Sequence, residues 1–379
     1  MKFVLAPDSF KGSLSALQVC QAMERGIAGV FPDATVEKLP MADGGEGTVD
    51  ALISSTGGRR EKAKVAGPLG HPVQAEFGIL GDGRTAVIEM AAASGLPLVP
   101  VSSRNPLKTT TFGTGQLMRV AIEKGCRKLI IGIGGSATTD CGTGMAQALG
   151  VRFYDRHGRE IPDYMCGELM GKVGSIDVTQ MHPLLKETKV TVACDVDNPL
   201  LGEHGAVMVY SRQKGATEAQ LQILEENMGR IIDVIEQTIG RRLRDVPGAG
   251  AAGGLGAGLM AFVDAELKPG VQLVMEACQF DKRIAGASLI LTGEGKADAQ
   301  TIYGKTISGV ATAAKKQNIP VIVLAGSVSG EAKNLYEIGV TAMFSICPGP
   351  ITLQQAKNRA RQLIENTTEQ VMRIYRLKQ

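Results

Sequence analysis

Short apolar runs rich in β-branched residues alternate along this chain with stretches of helical periodicity, the mark of a parallel α/β architecture. Residues 3–6 (FVLA) predict the first strand, and a helix follows from about Ser15 to Val30. Ser13 and Ser15 are its capping candidates, and Pro32 follows its end. A second strand near 35–41 leads to a helix from about Glu46. The texture then changes. Residues 59–90 alternate strand-like segments around the turn signals AGPLGHP and GDG, which predicts antiparallel hairpin structure. Regular α/β units resume with LIIGI at 129–133, a helix from about Thr143 and VTVAC at 190–194. A polar helix at roughly 217–240 precedes the glycine-rich PGAGAAGGLGAG at 247–258. The last third carries strands at 288–292, 320–325 and 342–346 separated by helices, and a final helix from about Leu353 to Arg376.

Similar texture at both ends around a different middle predicts a discontinuous organisation. We expect two α/β domains. Residues 1–65 and 268–379 would build one Rossmann-like parallel sheet, and residues 66–267 an inserted α/β domain. A length of 379 residues fits two cores better than one.

Composition narrows the function classes. Lys plus Arg number 41 against 38 Asp plus Glu, a net charge of +3, so no basic footprint for nucleic acid or an anionic membrane stands out. Tryptophan is absent and aromatics are only 4%, which leaves little for base stacking. The seven cysteines are scattered without a C-x-x-C pair, and the four histidines lack helical metal spacing, so a disulfide framework or zinc site is not expected. No apolar run reaches the ~18 residues of a membrane span, and Asp8 interrupts the N-terminal one, so a cytoplasmic location is expected. The unusual number is 48 glycines, well above the usual ~7%.

Carboxylates follow the apolar runs: Asp8, Asp43 with Glu46, Asp140, Asp195 with Asp197, and Glu294 with Asp298. In open α/β sheets ligands bind beyond the carboxyl ends of strands. Each acid alone also reads as a turn former or helix cap. Five such exits converging on one crevice would need a cation, and magnesium held through carboxylates, water and phosphate is the natural one. Lys11, Lys214 and Lys305 sit in Gly/Ser-rich turns, where a point charge suits a phosphate or carboxylate ligand.

The loop after LIIGI contains Gly134, Gly135, Ser136 and Thr138, followed by a helix; glycine amides and hydroxyls at a helix start suit phosphate. Residues 248–253 spell G-x-G-x-x-G, but RRLRDVP rather than a strand precedes them, so a dinucleotide oxidoreductase is a poor reading. That stretch reads better as a helix start packed closely on a neighbour, or as another loop of backbone donors. Gly304-Lys305-Thr306 lacks the upstream glycine of a Walker loop, since Ala299 stands there. Ser327 and Ser329 miss nucleophile-elbow spacing.

Seven segments carry a resemblance: APDSFKGSLSA (6–16), PMADGGEGT (40–48), VIEMAAASGL (87–96), GIGGSATTDCGTGMAQALG (132–150), CDVDNPLLG (194–202), PGAGAAGGLGAGL (247–259) and LTGEGKADAQTIYGK (291–305). Collinear over nearly the whole chain, they closely resemble the bacterial glycerate kinases of the type that includes the glycerate 2-kinases. The resemblance implies ATP-dependent phosphorylation of D-glycerate with magnesium (Mg2+), giving 2-phosphoglycerate, in a two-domain α/β fold. It also implies a role in glyoxylate and sugar-acid catabolism. In that light Gly134, Gly135, Ser136 and Thr138 form the nucleotide-phosphate cradle, and Asp43 with Glu46 hold the metal. Asp195 is the first choice of base, with Asp8 second. Lys11 and Ser9 hold the glycerate carboxylate or the transferring phosphate, while Glu294, Asp298 and Lys305 order the substrate crevice. Partners are the small-molecule substrate alone, and a homodimer is the assembly admitted. The alternatives are a 3-phosphoglycerate-forming kinase and a non-catalytic two-domain binding protein for a small organic acid. The chain departs from the family pattern in places. Thr139 stands where Asn is common and Cys141 where Gly is common. Ser211-Arg212 replaces Gly-Pro before Gln213-Lys214, and Ile307-Ser308 stands where proline is frequent.

Overall fold

The computed structural model describes residues 1–302 and 305–377, so Tyr303 and Gly304 of the YGKT segment lie outside the described residues. In chain order the strands are β1 Lys2–Leu5, β2 Thr35–Lys38, β3 Arg59–Ala66, β4 Pro72–Ile79, β5 Thr85–Glu89, β6 Lys128–Gly132, β7 Arg152–Asp155, β8 Val173–Asp177, β9 Lys189–Ala193, β10 Glu266–Lys268, β11 Leu289–Ala297, β12 Val321–Val328 and β13 Val340–Ser345. The chain divides into two compact units. One comprises Met1–Asp43, Asp50–Gly57 and Pro269–Gln379; the other comprises Gly44–Val49 and Gly58–Lys268.

The first unit is built on a five-stranded sheet of order β13-β12-β11-β1-β2. Every pairing in it is parallel, as the alternation of strands and helices leads one to expect. β1 lies inside the sheet, and its Phe3, Val4 and Leu5 are wholly buried, which is why FVL reads as an unbroken apolar run. The helix Ala16–Ala28 starts where the spacing predicts. Ser15 accepts from the Gln18 amide while the Gln18 side chain accepts from Ser15, a reciprocal capping box. Its buried Val19, Cys20, Met23 and Ile27 recur at helical spacing, and the helix packs against the helix Leu353–Arg376.

The second unit holds a six-stranded sheet of order β10-β9-β6-β5-β4-β3. β3 and β4 form the expected antiparallel hairpin, from Arg59 opposite Ile79 to Ala66 opposite Pro72. β5 is antiparallel to β4 yet parallel to β6, so one strand joins the two textures seen in the sequence. A separate pair, β7 and β8, is antiparallel. The helix Ala251–Val263 begins with Ala252, Gly253 and Gly254 at φ of 55°, 73° and 86°. This left-handed start is a close backbone contact: a Cβ on Gly253 would lie 2.0 Å from the Thr138 carbonyl oxygen. Of the two readings of that stretch, the helix start packed closely on a neighbour is the one the structure shows. Among the described residues no helix is long and apolar enough to cross a membrane.

Candidate functional site

In the first unit, polar groups gather where the parallel strands end. Beyond β1 the backbone continues along β11, with the Asp8 amide donating to the Gly293 carbonyl at 2.8 Å. The chain after β2 follows, the Met41 amide reaching the Pro7 carbonyl at 2.9 Å. Asp8 and Asp43 are thereby brought to the same end of the sheet. Asp8 Oδ2 accepts from Thr306 Oγ1 at 2.7 Å, at the start of the helix Thr306–Lys316. Burial pushes Asp8 up to about 6; the Thr306 hydroxyl pulls it down and the nearby Asp43 carboxylate pushes it further up.

Glu294 does not follow a strand end, as LILTG suggested, but lies within β11. The ladder with β12 continues past it, pairing Glu294 with Ala325 and Ala297 with Val328. Its Oε1 accepts from Thr301 Oγ1 at 2.8 Å, and the same hydroxyl accepts from the Asp298 amide at 3.0 Å. Burial raises Glu294 to about 7, Thr301 and Lys305 lower it, and Asp8 and Asp298 raise it. Asp298 also pairs with Lys296 at 2.9 Å. Lys305 is the residue from which the helix Thr306–Lys316 starts. Lys11 is exposed and Ser9 partly exposed, with the Lys11 amide beside Gly295. So Asp8, Asp43, Glu294, Asp298 and Lys305 form one electrostatically coupled group. Thr301 and Thr306, which hold two of these acids, were not singled out by the sequence; the GKT spacing around Thr306 was the available signal.

In the second unit the registers place three more strand ends together. Glu89 of β5 lies opposite Gly132 of β6, and Gly132 opposite Ala193 of β9. Gly134 and Asp195 each follow two residues beyond that row. Gly134 and Gly135 are exposed and Ser136 half-buried, and the amides of these three residues make no hydrogen bond among the described residues. Open amides on exposed glycines can take the oxygens of an anion. Thr138 differs from the expectation of a cradle hydroxyl: its side chain is wholly buried and its Oγ1 has no partner in the described residues. Asp195 is exposed, directly after β9.

Glu89 escaped the sequence reading although it ends the run VIE. Its Oε1 accepts the amides of Gly47 at 3.1 Å and Val49 at 2.9 Å, fixing the loop that carries Glu46 at the start of the helix Thr48–Thr56. The same loop touches the glycine loop: a Cβ on Gly132 would lie 2.3 Å from the Gly44 carbonyl oxygen, so only glycine fits there.

Two charged groups expected near ligand are instead internal. Asp140 is fully buried and accepts from the Thr111 amide at 2.8 Å, Thr111 Oγ1 at 2.7 Å and the Gly142 amide at 3.2 Å. It is thus a tie inside the fold rather than a ligand group, and burial raises it to about 6 against those bonds. Lys214 is 2% exposed, and its Nζ donates to the Thr138 carbonyl at 2.6 Å. It offers no point charge to an outside phosphate.

Asp43 and Glu46 are exposed carboxylates, hard oxygen donors of the kind magnesium takes. Among the described residues no three His, Cys, Asp or Glu side chains group as a metal site.

Comparison with known proteins adds an independent line. A model of the glycerate kinase family matches residues 3–376. A Bacillus subtilis (strain 168) protein named glycerate kinase is 52% identical over 371 residues, covering 98% of this chain and 97% of the relative. An Escherichia coli (strain K12) protein named glycerate 2-kinase is 49% identical over 356 residues, covering 94% and 93%. A crystal structure described as glycerate kinase 2 from Salmonella typhimurium LT2 superposes with a TM-score of 0.91 at 45% identity, over 100% of this chain and 99% of that one.

Proposed function

Because the chain belongs to the glycerate kinase family, we propose that it transfers the γ-phosphoryl group of ATP to the 2-hydroxyl of D-glycerate, releasing 2-phosphoglycerate and ADP. The observation that carries the reading is the exposed Gly134-Gly135-Ser136 turn with its open amides, placed directly after a parallel strand. The 2-hydroxyl is favoured by the Escherichia coli relative, whose name specifies glycerate 2-kinase.

Phosphoryl transfer asks a protein for positioning and charge more than for covalent chemistry. In this proposal the amides of Gly134, Gly135 and Ser136 bind nucleotide phosphate oxygens, with Thr138 shaping the turn from its buried side. Lys11 and Ser9 hold the glycerate carboxylate or the transferring phosphoryl group. Asp195 orients the attacking hydroxyl and accepts its proton, and Asp8 is the second choice for that role. Glu294, Asp298 and Lys305 order the substrate groups around Asp8. Asp43 and Glu46 would hold magnesium, which when bound neutralises charge on the phosphate oxygens.

A coupled assay of ADP release tests the reading. Release that depends on D-glycerate is expected, and ATP hydrolysis indifferent to glycerate would overturn it. Phosphorus NMR of the product then decides regiochemistry: 2-phosphoglycerate is expected, and 3-phosphoglycerate would replace that assignment alone.

A further inference from the structure

We propose that Lys214 is a positioning residue for nucleotide binding, acting through the Thr138 carbonyl on the buried side of the glycine loop. This inference rests on the kinase reading above. The starting point is an expensive arrangement. A lysine with 2% exposure has surrendered its hydration, and its one described hydrogen bond is to Thr138 O at 2.6 Å. Burial pulls Lys214 down to about 7, and the Asp140 carboxylate nearby opposes that shift. A methionine of similar length would fill the same volume at lower desolvation cost. What the lysine adds over methionine is a donor, and it donates as ammonium or as amine.

The acceptor's place in the loop gives the bond its purpose. Thr138 has no other polar anchor, since its hydroxyl lacks a partner among the described residues. A peptide is planar, so holding the Thr138 C=O toward Lys214 also sets the direction of the Thr139 N–H on the opposite edge of the same plane. Residues on either side are tied down too. Thr139 Oγ1 lies 3.0 Å from Ser211 Oγ, and the Cys141 amide donates to the Gly253 carbonyl at 3.1 Å. Upstream, the Ala137 amide donates to the Ser94 carbonyl and the Leu96 amide to the Gly135 carbonyl, both at 2.9 Å. The open amides of Gly134, Gly135 and Ser136 run between the Gly132 carbonyl, which accepts the Met90 amide at 2.8 Å, and the tied Ala137 amide. Lys214 therefore closes the set of bonds that fix the loop before a ligand arrives, which lowers the ordering cost of binding. Buried beneath the loop, it touches no ligand.

The test compares Lys214→Met, which keeps length and loses the donor, with Lys214→Gln, which keeps a neutral donor. In Lys214→Met the KM for ATP should rise about tenfold, with kcat within about threefold and the KM for D-glycerate unchanged. Lys214→Gln should recover part of the lost ATP affinity. Unchanged KM for ATP in a folded Lys214→Met overturns the inference, as does an equal loss for both substrates. If both variants lose the native melting transition, Lys214 is a folding residue and the inference is likewise overturned. An inactive wild type would instead refute the kinase reading, so the two failures are distinct.

Discussion

Thr139 and Ser211 meet in a buried hydrogen bond, their hydroxyl oxygens 3.0 Å apart. Both are positions at which the chain departs from the pattern of the family it resembles, so two departures 72 residues apart in sequence are one contact in space. Both side chains are fully buried, and removing one hydroxyl leaves the other without its partner. Thr139→Val and Ser211→Ala should each destabilise the protein by about 1–2 kcal/mol in urea unfolding. The double variant should cost less than the sum, with a coupling of about 1 kcal/mol. Additive losses would show that the hydroxyls do not act as a pair.

Glu89 makes a different kind of joint. Its carboxylate accepts the amides of Gly47 and Val49, doing from β5 what a capping side chain does locally at a helix start. Glu89→Gln keeps an acceptor oxygen and loses the charge, whereas Glu89→Ala leaves two amides without their acceptor. We expect about 1 kcal/mol of destabilisation for alanine and less for glutamine. Because the loop carries Glu46, alanine should also raise the magnesium concentration needed for half-maximal activity several-fold. Equal stability of the two variants would show that the amides do not depend on this carboxylate.

Much of the fold was legible because the central strands are apolar on both faces and three of the longer helices carry their own start signal. Ser15, Thr217 and Thr352 all form capping boxes with a glutamine three residues on. The helix Phe112–Glu123 lacks that signal for a physical reason. Thr111, at its start, directs its hydroxyl to Asp140 and accepts the Met145 amide, so no local cap marks the boundary. Likewise β7 and β8 are short, partly exposed strands without a clean alternation. For the site, residue type and strand position pointed to the group around Asp8 and Glu294. What they could not reveal was depth. Lys214 and Asp140 are the same residue types as Lys11 and Asp195, and only packing decides which of them meet solvent.

Asp195 and Lys11 are the exposed members that the proposal asks most of. Asp195→Asn removes the proton acceptor at nearly constant shape and should lower kcat by ~10² or more. Near-normal kcat would transfer the role to Asp8, whose pKa near 6 leaves it mostly ionised at neutral pH. Lys11→Met should reduce kcat/KM for D-glycerate strongly while thermal stability stays close to wild type, because the side chain is exposed. An unchanged kcat/KM would make Lys11 a bystander.

The buried amine also predicts a pH dependence of stability. Lys214 falls from its ordinary 10.5 to about 7 in the folded protein. Between those values the unfolded chain keeps a proton that the folded protein has released, so the stability attributable to this residue rises with pH. Below about 7 both states are protonated and the full cost of burying the charge is felt. Asp140 runs the other way, but lower: raised from 3.8 to about 6, its contribution falls as pH climbs through that range and is level above it. Between pH 7 and pH 9 the Asp140 contribution is level, and subtracting the Lys214→Met curve cancels the other groups that titrate there, Glu294 at about 7 among them. Measured by denaturant unfolding, wild type should gain on Lys214→Met over that interval by about 1 kcal/mol or more, the upper limit being about 1.4 kcal/mol per pH unit. Parallel stability curves for the two proteins would mean that Lys214 keeps its proton at neutral pH, and the bond to Thr138 would then be that of a permanent ammonium.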